Sequence, residues 1–383
     1  MIERKLAAWQ EAGLIDAGTT ASIRAYEAEH SRPLALWAVV GIGALAIGLG
    51  LVSVVAANWE AIPGAVRLAV HFVLLAVLAA ALWWRGEALL SQRPWAHEAL
   101  LFVFAVLGLT FFGHLGQVYQ TSSPLWQPLA LWLALFAPVI LLRGSSWLAA
   151  ALLAVVLAYA CWDFADPTRP LFGFEREERP ALVLGLATAV PVLLAPLGAW
   201  MRGRSTRRDF WRRLEQLGFA YALGSASLVA AASGLDDFDS DTERFLALGT
   251  QVVQAAIGLG AAVLVFIAKR SPSGRAAACV IGGAALVLVA AHLVDGSMLG
   301  GAILFMALWV GVALAALHAG WRRIFQLAVA AIAVRLVILS FELASDLLTS
   351  GAGLIVAGLL ILAVAWVAVR VSRRLAPPEE STP

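Results

Sequence analysis

Apolar residues in this chain run in blocks of about 18–24, the length that carries an α-helix across ~30 Å of hydrocarbon at 1.5 Å per residue. Twelve such blocks are read, at 34–57, 65–84, 97–119, 125–142, 146–162, 181–201, 214–234, 245–268, 276–294, 297–318, 324–342 and 350–371. Polar interruptions in the third and eleventh set the expected number of crossings at ten to twelve. The pattern predicts an all-α, polytopic transmembrane bundle with a different module in front of it. In residues 1–33, Leu6, Trp9, Ile15, Ile23 and Tyr26 are spaced among nine charged residues. Gly13 is placed to stop a short helix, and Asp16 to cap a second. This predicts a small polar α-hairpin. It is not a secretory leader, because the apolar run from Leu34 to Ala57 far exceeds the ~7–15 residues of a signal h-region.

Composition agrees with a membrane solvent. Of 383 residues, 61% are apolar and 14% charged, and the mean hydropathy is +0.85; a soluble domain carries about 25% charged residues to cover its surface. The net charge of +2 gives no global field for nucleic acid. Distribution of the basic residues is more informative. With the N-terminus inside, 21 of the 27 Lys and Arg fall in cytoplasmic segments, five on the other side and one, Arg335, within a span. That split follows the positive-inside rule and predicts both termini in the cytoplasm. Expected boundaries are a hairpin at 1–33, a first helix group at 34–162, an outer loop at 163–180, a second group at 181–371 and a disordered cytoplasmic tail at 372–383. Cys161 and Cys279 are too few for a disulfide framework or a thiolate metal site. Tryptophans such as Trp59, Trp84, Trp162 and Trp200 fall near span ends, as headgroup-level anchors do.

Polar side chains inside spans are costly, and they face a bundle interior or a wet cavity. Thr110, His114, Gln117 and Thr121 lie at i, i+4, i+7 and i+11, on one face of the third span. That stripe reads as an interhelical hydrogen-bond seam or as a ligand or proton path. Arg335 sits close to mid-membrane, with Glu342 at i+7 and Asp346 at i+11 on nearly the same face; a structural buried pair and an anion site are both open readings. His71 in the second span, with His114, Gln117 and Glu342, completes a candidate polar cavity open to the outer side. His292 and Asp295 lack third and fourth partners for a metal. Enzyme signatures are missing: the second histidine of a zinc-protease helix does not follow His97-Glu98, and Ser225 and Ser227 have no evident base. No cofactor motif is present, so none is expected, and catalysis is the weakest class.

Three motifs occur in order: Leu6-x-x-Trp9 with Gly13-Leu14-Ile15-Asp16; a glycine-rich first span ending Asn58-Trp59-Glu60-x-Ile62-Pro63; and Gly116-Gln117-x-Tyr119-Gln120. Over about residues 1–145 the chain resembles a bacterial family of membrane proteins, domain of unknown function 2157. The resemblance implies a multi-pass protein of the bacterial inner membrane, with Trp9, Asn58, Trp59, Glu60, Gln117, Tyr119 and Gln120 as motif residues. It assigns no activity. Expected partners are the lipid bilayer, a small solute and a protein at the N-terminal hairpin. Spans with buried ionisable groups favour a small-solute transporter or permease with an outward-facing polar cavity. The alternative is a non-transporting scaffold or sensor that recruits partners through the hairpin.

Overall fold

The computed structural model describes residues 6, 9–30, 46, 62–120, 123–166, 180–234, 240–294 and 296–343, with isolated residues between 355 and 370. The chain forms two compact units, 1–67 and 68–383. In the first, Gly13 takes a left-handed φ of 68°, which a residue without a Cβ adopts at no steric cost. Three residues on, the Asp16 carboxylate accepts the Thr19 N–H at 2.6 Å and caps α1 (Ala17–His30). The hydrogen bond to Thr19 holds the Asp16 carboxyl below its ordinary pKa.

The second unit is helical throughout its described residues. Its elements are α2 (Gly64–Gln92), α3 (Pro94–Tyr119), α4 (Trp126–Arg143), α5 (Trp147–Ala165), α6 (Ala181–Ala189), α7 (Leu194–Arg202), α8 (Arg208–Ala232), α9 (Ser240–Leu246), α10 (Leu248–Ala268), α11 (Pro272–Ala290), α12 (Met298–Ala319) and α13 (Arg322–Leu343). A 3₁₀ turn, Val190–Leu193, joins α6 to α7. Caps follow from sequence: Ser146, Ser271 and Ser297 each accept an N–H of the first turn. Gly320 closes α12 with a φ of 74°.

Eight helices among the described residues are long and apolar enough to cross a membrane: α2 to α5, the broken helix Ala181–Arg202, α10, α11 with its following turn, and α12. Of the other expected spans, 214–234 falls in α8, whose first half carries Arg208, Asp209, Arg212, Arg213 and Glu215. The stretch 324–342 falls in α13, which carries Arg322, Arg323 and Arg335. The blocks 34–57 and 350–371 lie outside the continuously described residues.

Two boundaries differ from expectation. The segment after residue 84 is helix rather than loop, and α2 runs to Gln92 and restarts at Pro94, with only Arg93 between. Proline fits the first turn of the new helix because its missing N–H would have no partner there, while it disfavours helical geometry at Arg93. Asp163, expected in the outer loop, lies within α5. Its carboxylate accepts the Trp126 N–H at 2.7 Å, supplying an acceptor at the start of α4.

Packing relies on small residues where helices approach closely, as it does in lipid, where burial of apolar surface offers little net drive. A Cβ on Gly218 of α8 would lie 2.3 Å from the Ala195 nitrogen, and one on Gly198 of α7 would lie 2.5 Å from the Glu215 nitrogen. The α7 and α8 backbones are therefore in direct contact. Larger side chains fill the space between α4, α5 and α8, where Trp132, Phe136, Leu153 and Phe210 form one core. Trp132 stacks on Phe136 and donates its indole N–H to the Ala105 carbonyl of α3 at 2.9 Å.

Candidate functional site

The candidates read from sequence fall into two separate places. On α13, Arg335 is 6% exposed, and its Nη1 donates to both Glu342 carboxylate oxygens at 3.0 and 2.9 Å. The i, i+7 spacing brings them together on one face. Asp346 lies outside the described residues. The helix carrying the pair packs on α12, whereas α3, the helix of Thr110, His114 and Gln117, packs on α4 and α5.

On α3, His114 meets His71 of α2. Their Nδ1 atoms are 3.3 Å apart, and His71 Nε2 lies 3.0 Å from the Leu107 carbonyl. A carbonyl only accepts, so His71 carries a proton on Nε2, and in the neutral ring its Nδ1 accepts from His114. Thr110 donates to the same Leu107 oxygen at 3.0 Å. The Leu107 carbonyl thus gathers Thr110 and His71, and through His71 it reaches His114.

Gln117 is exposed at the end of α3. Gln120 ends that helix in the left-handed region with φ 53°, its N–H bonded to the Gly116 carbonyl. It is the one non-glycine residue with positive φ among those described. The Gly116-Gln117-x-Tyr119-Gln120 motif is therefore a helix terminus, and Tyr119 is 64% exposed there. Trp9 is 42% exposed; Thr121, Asn58, Trp59 and Glu60 lie outside the described residues.

A cavity of about 600 Å³ lies elsewhere, among α5, α6, α8, α9, α10 and α11. It sits toward the end of the bundle where α5, α8 and α11 finish and α6 and α10 begin. Its polar wall is made of Trp162, Thr188, Tyr221, Ser225, Gln251 and Gln254, and no charged residue lines it among the described residues. These groups form directional chains. Trp162 Nε1 donates to the Tyr221 hydroxyl at 2.9 Å, which donates to the Thr188 carbonyl at 2.6 Å. Gln254 Nε2 donates to the Thr188 hydroxyl at 2.6 Å, which donates to the Leu184 carbonyl at 2.7 Å.

Thr188 lies just before a tightened turn in the helix Ala181–Arg202. Pro191 has no N–H to give the Ala187 carbonyl, and the backbone tightens into the 3₁₀ turn Val190–Leu193 just past it. The short α9 is tied over the cavity by the first turn of α10. Thr250 donates to the Arg244 carbonyl at 3.0 Å and Gln251 Nε2 to the Phe245 carbonyl at 2.7 Å, which supplies donors to the C-terminal carbonyls of α9.

At the other end of the same helices, Glu215 of α8 is 7% exposed. It receives Arg202 from the end of α7 at 2.8 Å and Lys269 from the end of α10 at 3.2 Å. Nearby basic residues are also spent on backbone. Arg143 donates to the Leu82 carbonyl at 2.8 Å, Arg207 to the Leu141 and Gly144 carbonyls and Arg213 to the Ser145 carbonyl. Burial lowers the Arg207 pKa from its ordinary value, and the Glu98 charge opposes that shift. Glu98 in turn accepts the Ser145 and Ser146 N–H groups at 2.6 and 3.0 Å. Arginines expected in successive loops on one side thus meet at one end of the bundle. Among the described residues, no three His, Cys, Asp or Glu side chains are grouped to hold a metal.

Of the cavity's polar residues, Trp162 reads from sequence as a headgroup-level anchor and Ser225 as a hydroxyl without a base, while Thr188, Tyr221, Gln251 and Gln254 do not stand out. Pro191 inside the sixth span, and Gln251 and Gln254 at i, i+3 inside the eighth, are the signals that point to it. Fold and composition define a polytopic, all-helical integral membrane protein. Residues 7–149 match the model of a family described as Predicted membrane protein (DUF2157), so the resemblance read from the N-terminal motifs holds over that part of the chain. Comparison with curated proteins and with solved structures gives no match.

Proposed function

We propose that the protein is a small-solute permease of the bacterial inner membrane, and that the cavity among α5, α6, α8, α10 and α11 is its binding site. The observation that carries this reading is the cavity itself: about 600 Å³, with hydrogen-bonded polar groups in a largely apolar wall, beside the 3₁₀ turn at Pro191. Solute sites of this size are mostly apolar with a few fixed polar groups. The positive-inside distribution puts the Arg- and Lys-rich ends in the cytoplasm. The cavity then belongs to the outer half of the bundle, and the Glu215–Arg202–Lys269 cluster closes the inner ends of α7, α8 and α10. On this reading the cluster has to separate for the cavity to open inward, and α9, tied over the cavity, has to lift for it to open outward.

Gly224 lines the cavity, and a Cβ added there meets nothing within 4 Å, so Gly224→Phe is the variant chosen to obstruct the site. Proteoliposomes are incubated with a defined mixture of uncharged, slowly permeating solutes (nucleosides, aromatic amides and polyols), and uptake is read by mass spectrometry. At least one solute is expected to equilibrate several-fold faster with the wild-type protein than with Gly224→Phe or with protein-free vesicles. Equal rates in all three for every solute defeat the reading.

A further inference from the structure

At the basic end of the bundle, cations close to α7 already have partners. Arg202 and Lys269 share the Glu215 carboxylate, and Arg143, Arg207 and Arg213 donate to backbone carbonyls. Arg204, two residues past the end of α7, is different. It is exposed, and its guanidinium lies 4.2 Å from the centroid of the Trp200 ring, a stack that holds the charge beside an indole. One N–H reaches the Trp200 carbonyl at 3.4 Å. Among the described residues Arg204 has no acidic partner, so most of the five N–H donors of a positioned cation remain available.

The same face of α7 leads from Arg204 to a recess. Leu193, Leu197, Trp200 and Arg204 follow at i, i+4, i+7 and i+11 and are all exposed, while Leu194, Ala195, Pro196, Gly198 and Ala199 between them are buried. Leu193 also belongs to the wall of a groove of about 840 Å³ that runs between α4 and α5 on one side and α6 and α10 on the other. Leu133, Phe164, Leu186 and Leu264 line it, and it shares no lining residue with the polar cavity. Leu186, Leu193 and Leu264 are exposed, so the groove opens on the outside of the bundle, where lipid tails lie. Hydrocarbon fills such a recess in a bilayer, because empty space forfeits dispersion contacts. Tails are as apolar as the walls, so the groove by itself offers little preference between lipids. Preference arises at the headgroup.

We propose that the groove and Arg204 together form a binding site for an anionic phospholipid, with an acyl chain against Leu193 and Leu264 and the phosphodiester on the Arg204 guanidinium. The exposed stripe joins an apolar recess to a cation on one face, which matches a molecule with a hydrocarbon tail and an acidic head. A guanidinium fits phosphate oxygens through paired N–H donors, and Trp200 marks the level at which headgroups lie. Charge nearby acts in the same sense. Two cations around the single Glu215 carboxylate leave that cluster net positive among the described residues, and each surface cation favours anionic lipid. Free phosphate would satisfy Arg204 and leave the groove unused, so the lipid is the ligand that both parts require.

Native mass spectrometry of the delipidated full chain in detergent, titrated with phosphatidylglycerol or with phosphatidylcholine of the same chains, tests this. The proteins are the wild type, Arg204→Gln, Gly260→Phe and Arg323→Gln. Gly260 lines the groove and a Cβ there meets nothing within 4 Å; Arg323 is an exposed cation on α13. The wild type is expected to bind phosphatidylglycerol about fivefold more tightly than phosphatidylcholine, the ratio that about 1 kcal/mol from one surface cation gives. Arg204→Gln is expected to remove that preference and leave phosphatidylcholine unchanged, Gly260→Phe to weaken both lipids several-fold, and Arg323→Gln to alter neither. Equal binding of the two lipids by the wild type overturns the proposal without recourse to any variant. So does a preference that survives Arg204→Gln, or one that Arg323→Gln removes as fully, since the charge then acts only as a diffuse field. Phosphatidylglycerol binding that is untouched by Gly260→Phe, or that is displaced by inorganic phosphate at the concentration of the lipid, overturns the groove as the seat of the chain.

Discussion

Neutralising Glu342 should damage the protein more than neutralising Glu342 and Arg335 together. The Arg335 guanidinium is 6% exposed, its Nη1 is held by both Glu342 oxygens at 3.0 and 2.9 Å, and its buried Nε has no hydrogen-bond partner. Glu342→Gln removes the compensating charge and leaves a cation stranded in the bundle. Breaking one side of a buried pair costs about 3–5 kcal/mol. The Glu342 side chain is 27% exposed, and water reaching it places the expected loss near the lower end, about 3 kcal/mol. Arg335→Met keeps an apolar stem of similar reach, and the double variant buries no lone charge, so it should fall within about 1 kcal/mol of the wild type. The coupling energy from the four proteins is then at least about 2 kcal/mol, well above the scatter of independent sites. The measurement is reversible unfolding in mixed micelles of increasing dodecyl sulfate, followed by tryptophan fluorescence. Additive losses would refute the assignment of Glu342 as the partner. The same cycle with Asp346→Asn shows whether that residue carries the coupling instead, and additivity for both acids leaves Arg335 without an acidic partner among the candidates.

Other expectations follow from local geometry. Gly218→Ala should cost about 1–3 kcal/mol or more in the same unfolding assay, because the new methyl meets the Ala195 nitrogen and Leu194 carbon of the facing backbone. Gly311→Ala, where nothing lies within 4 Å, should be neutral or stabilising through helix propensity. In the N-terminal unit, the Asp16 cap should be present at neutral pH and lost as pH falls below 3.8, through the lowered pKa of that carboxyl. Amide exchange at Thr19 reads this, and protection that is flat down to full protonation would remove the cap from the account. Reporter fusions at Gly203 and Phe238 should report opposite compartments, cytoplasm for the first; a shared compartment would mean that α8 does not cross and that the charge-based orientation is wrong.

What the sequence makes legible is what a single helix can express. Gly13 and Asp16 announce the start of α1, and Arg335 finds Glu342 because seven residues make two turns. The His71–His114 pair was less accessible: both residues were noted as intramembrane histidines, yet nothing local says that helices 43 residues apart would set two Nδ1 atoms at 3.3 Å. The cavity was least accessible, for a reason rooted in energetics. Arg335 stands out because a charge at mid-membrane costs about 2.5–3.5 kcal/mol on insertion scales, and such a cost must be met by a partner. Thr188, Tyr221 and Ser225 impose no comparable demand: a hydroxyl can return its hydrogen to a backbone carbonyl, as Thr188 does to Leu184 and Ser225 to Ala222. Scattered singly over α6 and α8, each reads as an ordinary interior polar residue. Trp162, Tyr221 and the glutamines find their partners off their own helices, which no local pattern announces. Gln251 reaches off its helix to the Phe245 carbonyl and still has an oxygen to spare. A charge inside a span declares itself in the sequence, whereas a cavity walled by uncharged polar groups becomes visible only when its donors and acceptors are traced in three dimensions.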